Sequence, residues 1–376
     1  MNTVNSYFEA GSVKSIFRAS IRLKKSKKIL IAIILLVTLA GCANAPVISK
    51  IDAPVYPPPP AEARYIYEAT LRSSSNISEP TFADKLQEIA TGSRTSPTGL
   101  AKPYGVLAYK NRVYVTDTQQ RAIVMFDLIS GNVKFIGTEG PGNLLKPLGI
   151  DISKDEEIFV ADNTAKRIAV FDLDGNFLRA FGNKNLLTRP VGVATDPTSN
   201  KIYVIDTGGI ESDNHHVLVF DGKTGKHLQT IGKRGRDKNE FNLPLQAATT
   251  SDGTLYVVDG GNFRVQKISK EGEFIGTFGS IGRRSGQFSR PKGIATDKDG
   301  NIYVVDTAFG NLQIFNANEE LLLFLGQRAT SSGPGKFSLP AGVDVDENGK
   351  IYIVDQFFRK VDIIRPVNSN PFEIFK

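Results

Sequence analysis

Six prolines, Pro103, Pro147, Pro190, Pro244, Pro291 and Pro340, recur at intervals of 43 to 54 residues, each with Leu or Phe three positions earlier (Leu100, Leu144, Leu187, Phe241, Phe288, Phe337). An aspartate series runs in step with them: Asp117, Asp162, Asp206, Asp259, Asp306 and Asp355. Self-similarity at such a period marks a repeat architecture. Inside each unit lie four short β-prone runs. In the fifth they are Gly293–Thr296, Ile302–Val305, Leu312–Phe315 and Leu321–Leu325, with Asp299-Gly300 as one of the turns. Runs this short predict a four-stranded antiparallel meander, because a parallel pairing needs a long crossover. One such sheet exposes two apolar faces, and a radial arrangement buries each on its neighbour. The expected fold is therefore all-β, a six-bladed β-propeller of four-stranded antiparallel blades.

The frame read along each unit, F-x-x-P-x-G-I-A, then I-Y-V-x-D-T, then R-I-Q-V-F-D, then G-x-F-x-x-x-F-G, resembles the NHL repeat over about Leu100–Pro366. Two units depart from it: Gln246 replaces the frame glycine in the fourth, and the third carries an insertion, Gly208–His216. The sixth unit runs out of chain before its fourth strand. Arg64–Leu71 is the expected supplier, with Phe372–Phe375 as the competing segment. Phe82–Ala90 has helical spacing with Thr81 as its expected cap, and should cover the propeller rather than form a second domain.

The chain carries a formal +7, but Met1–Gly41 contains seven Lys/Arg and one acid, so the remainder is close to neutral. That excludes a globally basic nucleic-acid binder. Ile29–Ala40 is an apolar run behind RLKKSKK, the order of a secretory signal, and is too short to span a bilayer comfortably. Leu39-Ala40-Gly41-Cys42 resembles the lipobox of bacterial lipoproteins. The resemblance implies cleavage before Cys42, lipid on Cys42, and a place in the bacterial envelope facing either side of the outer membrane, since Ala43 is not the Asp that signals inner-membrane retention. The leader is long, which fits a start codon further in. Residues 42–61, with four consecutive prolines, should form an extended spacer. The expected organisation is a signal peptide over 1–41, a lipidated linker over 42–61 and the propeller over 62–376, with 62–71 closing it and a short helix over 81–90.

One Cys and three His exclude disulfide frameworks, Cys-rich zinc sites and iron–sulfur clusters. The interblade loops carry an excess of positive charge and the opposite turns an excess of negative charge, so the ring should have a basic and an acidic face. On the basic face, Lys233, Arg234, Arg236 and Lys238, then Arg283, Arg284, Arg290 and Lys292, lie near Phe263, Phe309, Phe357 and Phe358. Aromatic rings beside Arg make a platform for an acidic protein segment, polymer or glycan. The alternative is that the rings pack under their loops and the charges form a solvated rim.

The six frame aspartates stand where strands enter turns, which is the position of a backbone cap. Asp151 and Asp344 replace small residues on the channel-lining strands and are weak candidates for a cation. His215 and His216 are adjacent, so they point to opposite faces and chelate poorly. No nucleophile–base constellation stands out, and no cofactor is expected. The expected function is that of a lipid-anchored, monomeric binding or scaffold protein with an envelope protein or glycan partner and no nucleic acid. Two alternatives remain open: a hydrolase or lyase with a divalent cation in the channel, and a sensor or assembly factor of an envelope complex.

Overall fold

The computed structural model describes residues 53–78, 82–91, 98–209 and 211–375. The expected signal peptide, Cys42 and Thr81 lie outside them. Six sheets account for the repeats, five of them simple four-stranded meanders and the sixth completed by strands from earlier in the chain. The first strands are Pro103–Tyr109, Pro147–Ile152, Pro190–Thr195, Pro244–Thr249, Pro291–Thr296 and Pro340–Val345; they line the axis, so the frame proline opens every inner strand. Pro at a strand's first position leaves no ladder hydrogen bond unmade. The second strands, such as Ile302–Asp306, are buried throughout and end on the frame aspartate. Fourth strands, such as Leu321–Leu325, alternate between partly buried and exposed, as befits an outer edge.

The core lies between blades rather than within them. Leu107, Tyr114, Ile123 and Met125 of blade one pack with Ile150, Ile158, Val160 and Phe171 of blade two. The inner strands come together closely enough that a Cβ on Gly149 would stand 2.6 Å from the Gly192 Cα. Glycine at this frame position is a packing requirement, not a turn signal.

Neighbouring blades are also joined by side-chain hydrogen bonds around the axis. Thr195, Thr249 and Thr296 each donate a hydroxyl to the inner strand of the preceding blade, at Ile152 O, Thr195 O and Thr249 O, all 2.6 Å. At the other end Thr207 and Thr307 donate to Pro244 O at 2.6 Å and Pro340 O at 2.8 Å. In these two units the Asp-Thr pair divides its work: the Asp holds its own blade's loop and the Thr reaches the next blade.

Tyr65–Leu71 pairs antiparallel with Lys360–Pro366 and is the outer strand of blade six, while Glu373–Phe375 forms a 3₁₀ turn. Val55–Tyr56, inside the segment expected to be a bare spacer, pairs with Tyr65–Ile66 and adds a fifth strand. Prolines tolerate such an edge, and Tyr56 gains cover against the blade-five and blade-six core. The helix spans Phe82–Thr91; Phe82, Leu86 and Ile89 on it are exposed, so this stripe does not cover the propeller as expected.

Candidate functional site

The frame aspartates are fully buried and fully employed. Asp117 Oδ2 accepts the N–H groups of Ala101 (2.7 Å) and Lys102 (2.8 Å), and its Oδ1 those of Gln119 and Gln120 (both 3.0 Å). Asp206 and Asp306 repeat the pattern on Thr188 and Arg189, and on Ser289 and Arg290. A carboxylate accepting several backbone donors is a strong local clamp. These clamps fix the residue just before five of the six frame prolines at the end of the ring that carries the interblade loops.

The axial channel encloses about 340 Å³ and is lined by all six inner strands. Asp151 and Asp344 both sit in it, and both reach the next blade. Asp151 accepts from Ile152 N and Thr195 N, each at 2.8 Å, and Asp344 Oδ2 accepts from Ala108 N at 2.7 Å. Their first role is thus to satisfy inner-strand N–H groups that no ladder serves. Burial pushes the Asp151 carboxyl up to about 6 against those donors, and raises Asp344 well above the carboxylate range, with Asp151 adding to the effect. Among the described residues, no three His, Cys, Asp or Glu side chains gather as a metal site.

A raised carboxyl pKa makes the native state the tighter proton binder, so its contribution to stability is complete below the unfolded pKa near 4 and is lost as pH rises through about 6. Between pH 4 and 7.5 the stability difference between Asp151→Asn and wild type should move about 2 to 3 kcal/mol in the variant's favour. Denaturant titrations across that range check it. A difference that stays flat with pH would show Asp151 titrating normally.

The insertion histidines do separate jobs. His215 is buried, accepts Leu243 N–H at Nδ1 (3.2 Å) and faces Gly209 O through Nε2 (3.2 Å). His216 is held below its ordinary pKa by burial.

On the loop face, Lys233, Arg234, Arg236, Lys238, Arg283, Arg284 and Arg290 are all exposed. Lys233 pairs with Glu240 at 3.3 Å, and Lys238 lies 5.9 Å from the Phe274 ring centre. Arg236, Arg283, Arg284 and Arg290 make no ion pair with a described carboxylate. Of the four expected aromatics, Phe357 is 59% exposed, whereas Phe263, Phe309 and Phe358 are half-buried. Phe357 and Phe358 meet edge-on at 5.3 Å; among the described residues no other pair of the four is in ring contact. The face therefore presents one exposed ring, with Ile281, 66% exposed, as a separate apolar residue, rather than four presented rings.

Lys292, grouped in the sequence with the loop cations, belongs instead to the channel. Its Nζ donates to Gln356 Oε1 at 3.2 Å and lies 4.7 Å from the Tyr104 ring centre. Three further cations, Lys102, Lys146 and Arg189, escaped the sequence reading. They occupy the same pre-proline position as Arg290, and aligning the six prolines would have found them.

Residues 288–315 match the NHL repeat family. Solved structures similar to the chain include virginiamycin B lyase from Staphylococcus aureus, at 16% identity and a TM-score of 0.51 over 70% of this chain and 95% of that one. A gluconolactonase from Xanthomonas campestris gives 14% and 0.55 over 80% and 98%. An auxiliary nutrient binding protein from Bacteroides thetaiotaomicron gives 14% and 0.55 over 72% and 70%. At such identities the likeness speaks for the fold and not for an activity. The chain is a six-bladed β-propeller, and the stretch of its fifth unit over residues 288–315 matches the NHL repeat.

Proposed function

We propose that this protein is a non-catalytic binding module, lipid-anchored through Cys42 in the bacterial envelope, whose interblade-loop face engages an acidic partner. The observation that carries the reading is the set of four exposed guanidinium groups, Arg236, Arg283, Arg284 and Arg290, left without a described carboxylate on a face that also exposes Ile281 and Phe357. Guanidinium forks match carboxylates two hydrogen bonds at a time, and apolar neighbours add contact area. The enzyme reading draws less support, because both Asp151 oxygens and Asp344 Oδ2 are already occupied by backbone donors.

The test is capture of envelope proteins by full-length protein and by the Arg234/Arg236/Arg283/Arg284→Glu variant. A defined partner should be retained by the wild type and lost by the variant, and its affinity should fall steeply between about 0.1 and 1 M salt as screening shortens. Retention by the variant, or binding indifferent to salt, would move the contact off this face.

A further inference from the structure

The pre-proline residues of the six inner strands are Lys102, Lys146, Arg189, Leu243, Arg290 and Leu339, four cations and two leucines on one circle about the axis. All six are exposed. The frame aspartates hold the backbones of five of them: Lys102 N, Lys146 N, Arg189 N, Arg290 N and Leu339 N donate to those carboxylates at 2.7 to 3.1 Å, and Leu243 N donates to His215. The charges are thus presented from a rigid ring rather than from mobile loop tips. None of the four cations is ion-paired to a described carboxylate.

One residue past the frame proline, Lys292 and Tyr104 stand at the same mouth. Burial pushes the Lys292 ammonium down to about 8; Arg290 and Lys102 press it in the same direction, and Asp355 opposes. Arg189 acts likewise on Tyr104 from across the channel. Cations from blades one, three and five therefore bear on one small volume, where the contacts of the Lys292 ammonium are an amide oxygen and a ring.

We propose that this mouth is a carboxylate site, in which Lys102, Lys146, Arg189 and Arg290 gather an acidic side chain of a bound peptide onto the propeller axis and Lys292 donates to it from below. The two leucines select a peptide over a polyanionic glycan. Leu243 and Leu339, 39% and 37% exposed, complete the circle, and Phe357 directly follows Gln356, whose N–H donates to Leu339 O. A ligand with both acidic and apolar groups has a counterpart for both kinds of position, whereas a uronate chain has nothing to place on the leucines. The inference rests on the binding-module reading, and narrows it to an acidic, apolar-flanked peptide segment.

The probe is a fluorescein-labelled Leu-Glu-Leu-Glu-Leu-Glu hexapeptide, titrated into full-length protein with polygalacturonate as the competing polyanion. Saturable binding is expected, weakened tenfold or more by Lys292→Met and by Arg189→Ser, and kept within threefold by Lys292→Arg. Lys292→Met should melt no lower than wild type, since it removes a crowded, desolvated cation, so lost binding would not reflect lost folding. The outer Arg283/Arg284→Glu variant separates the two proposals. If it abolishes binding while Lys292→Met does not, the axial site is wrong and the face reading stands. Absence of binding to wild type, or polygalacturonate competing more strongly than unlabelled peptide, overturns the carboxylate–peptide assignment.

Discussion

A chain shortened to begin at Arg72 is expected to lose cooperative unfolding, whereas one beginning at Ala53 should melt with the full-length protein. The closing strand Tyr65–Leu71 buries Leu71 completely and Ala69 almost so against blades six and one. It also carries Glu68, whose carboxylate meets the Lys350 ammonium at 3.2 Å with both side chains nearly inaccessible, and accepts Phe372 N–H at 2.5 Å. Losing Glu68 breaks a buried ion pair, which costs up to about 3–5 kcal/mol. Loss of Leu71 burial adds about 2 kcal/mol. Together these reach the scale of a domain's whole stability, about 5–15 kcal/mol. The cut also bares Lys360–Pro366, until then largely buried, as an edge strand, a template for aggregation. Thermal melts followed by circular dichroism, with size-exclusion chromatography, read both effects. A soluble fragment from Arg72 with a sharp transition would show that the ring holds without its closing strand.

The parts of the fold that the sequence made legible are those where each repeat states the same requirement. A proline, a buried Leu or Phe three residues earlier and a capping Asp recur together, and six copies admit one architecture. Features that occur once were harder to read. Val55–Tyr56 looked like spacer because prolines surround it, yet its pairing depends on an edge that exists only after blade six has formed. Lys292 reads in the sequence as one more loop cation, because the charge of a segment carries no register. Its character comes from register: one residue past the proline, a side chain points toward the axis, and the amide of Gln356 and the ring of Tyr104 are brought to it by other blades. Lys102, Lys146 and Arg189 were overlooked for the same reason, since a ring of charge is visible only when the six units are stacked. Asp151 and Asp344 were recognisable as departures from small residues, but their reach to Thr195 N and Ala108 N needed the geometry of adjacent blades.

Replacing one frame aspartate should damage the fold and the loop face together. Asp306 is fully buried; its Oδ2 accepts Ser289 N at 2.7 Å and Arg290 N at 2.9 Å, and its Oδ1 accepts Ala308 N at 2.9 Å and Phe309 N at 3.0 Å. Asp306→Ala strands four donors at once. An unsatisfied buried donor costs about 1–3 kcal/mol, and water entering from the partly open side will relieve some of them, so a loss of about 4 kcal/mol is expected. Asp306→Asn keeps one accepting oxygen but turns its amide hydrogens toward N–H groups that also donate, and should lose about half as much. Chemical denaturation of both variants measures the ladder. Losses below about 1 kcal/mol for the alanine variant would mean that the loops are held by their own turns. The same carboxylate anchors the backbone of Arg290, so Asp306→Ala should also weaken binding of the acidic hexapeptide under conditions where the variant is still folded. The Asp that recurs to build the ring is thereby the device that aims a cation at its axis, and binding and stability fall together at this position while at Lys292 they move apart.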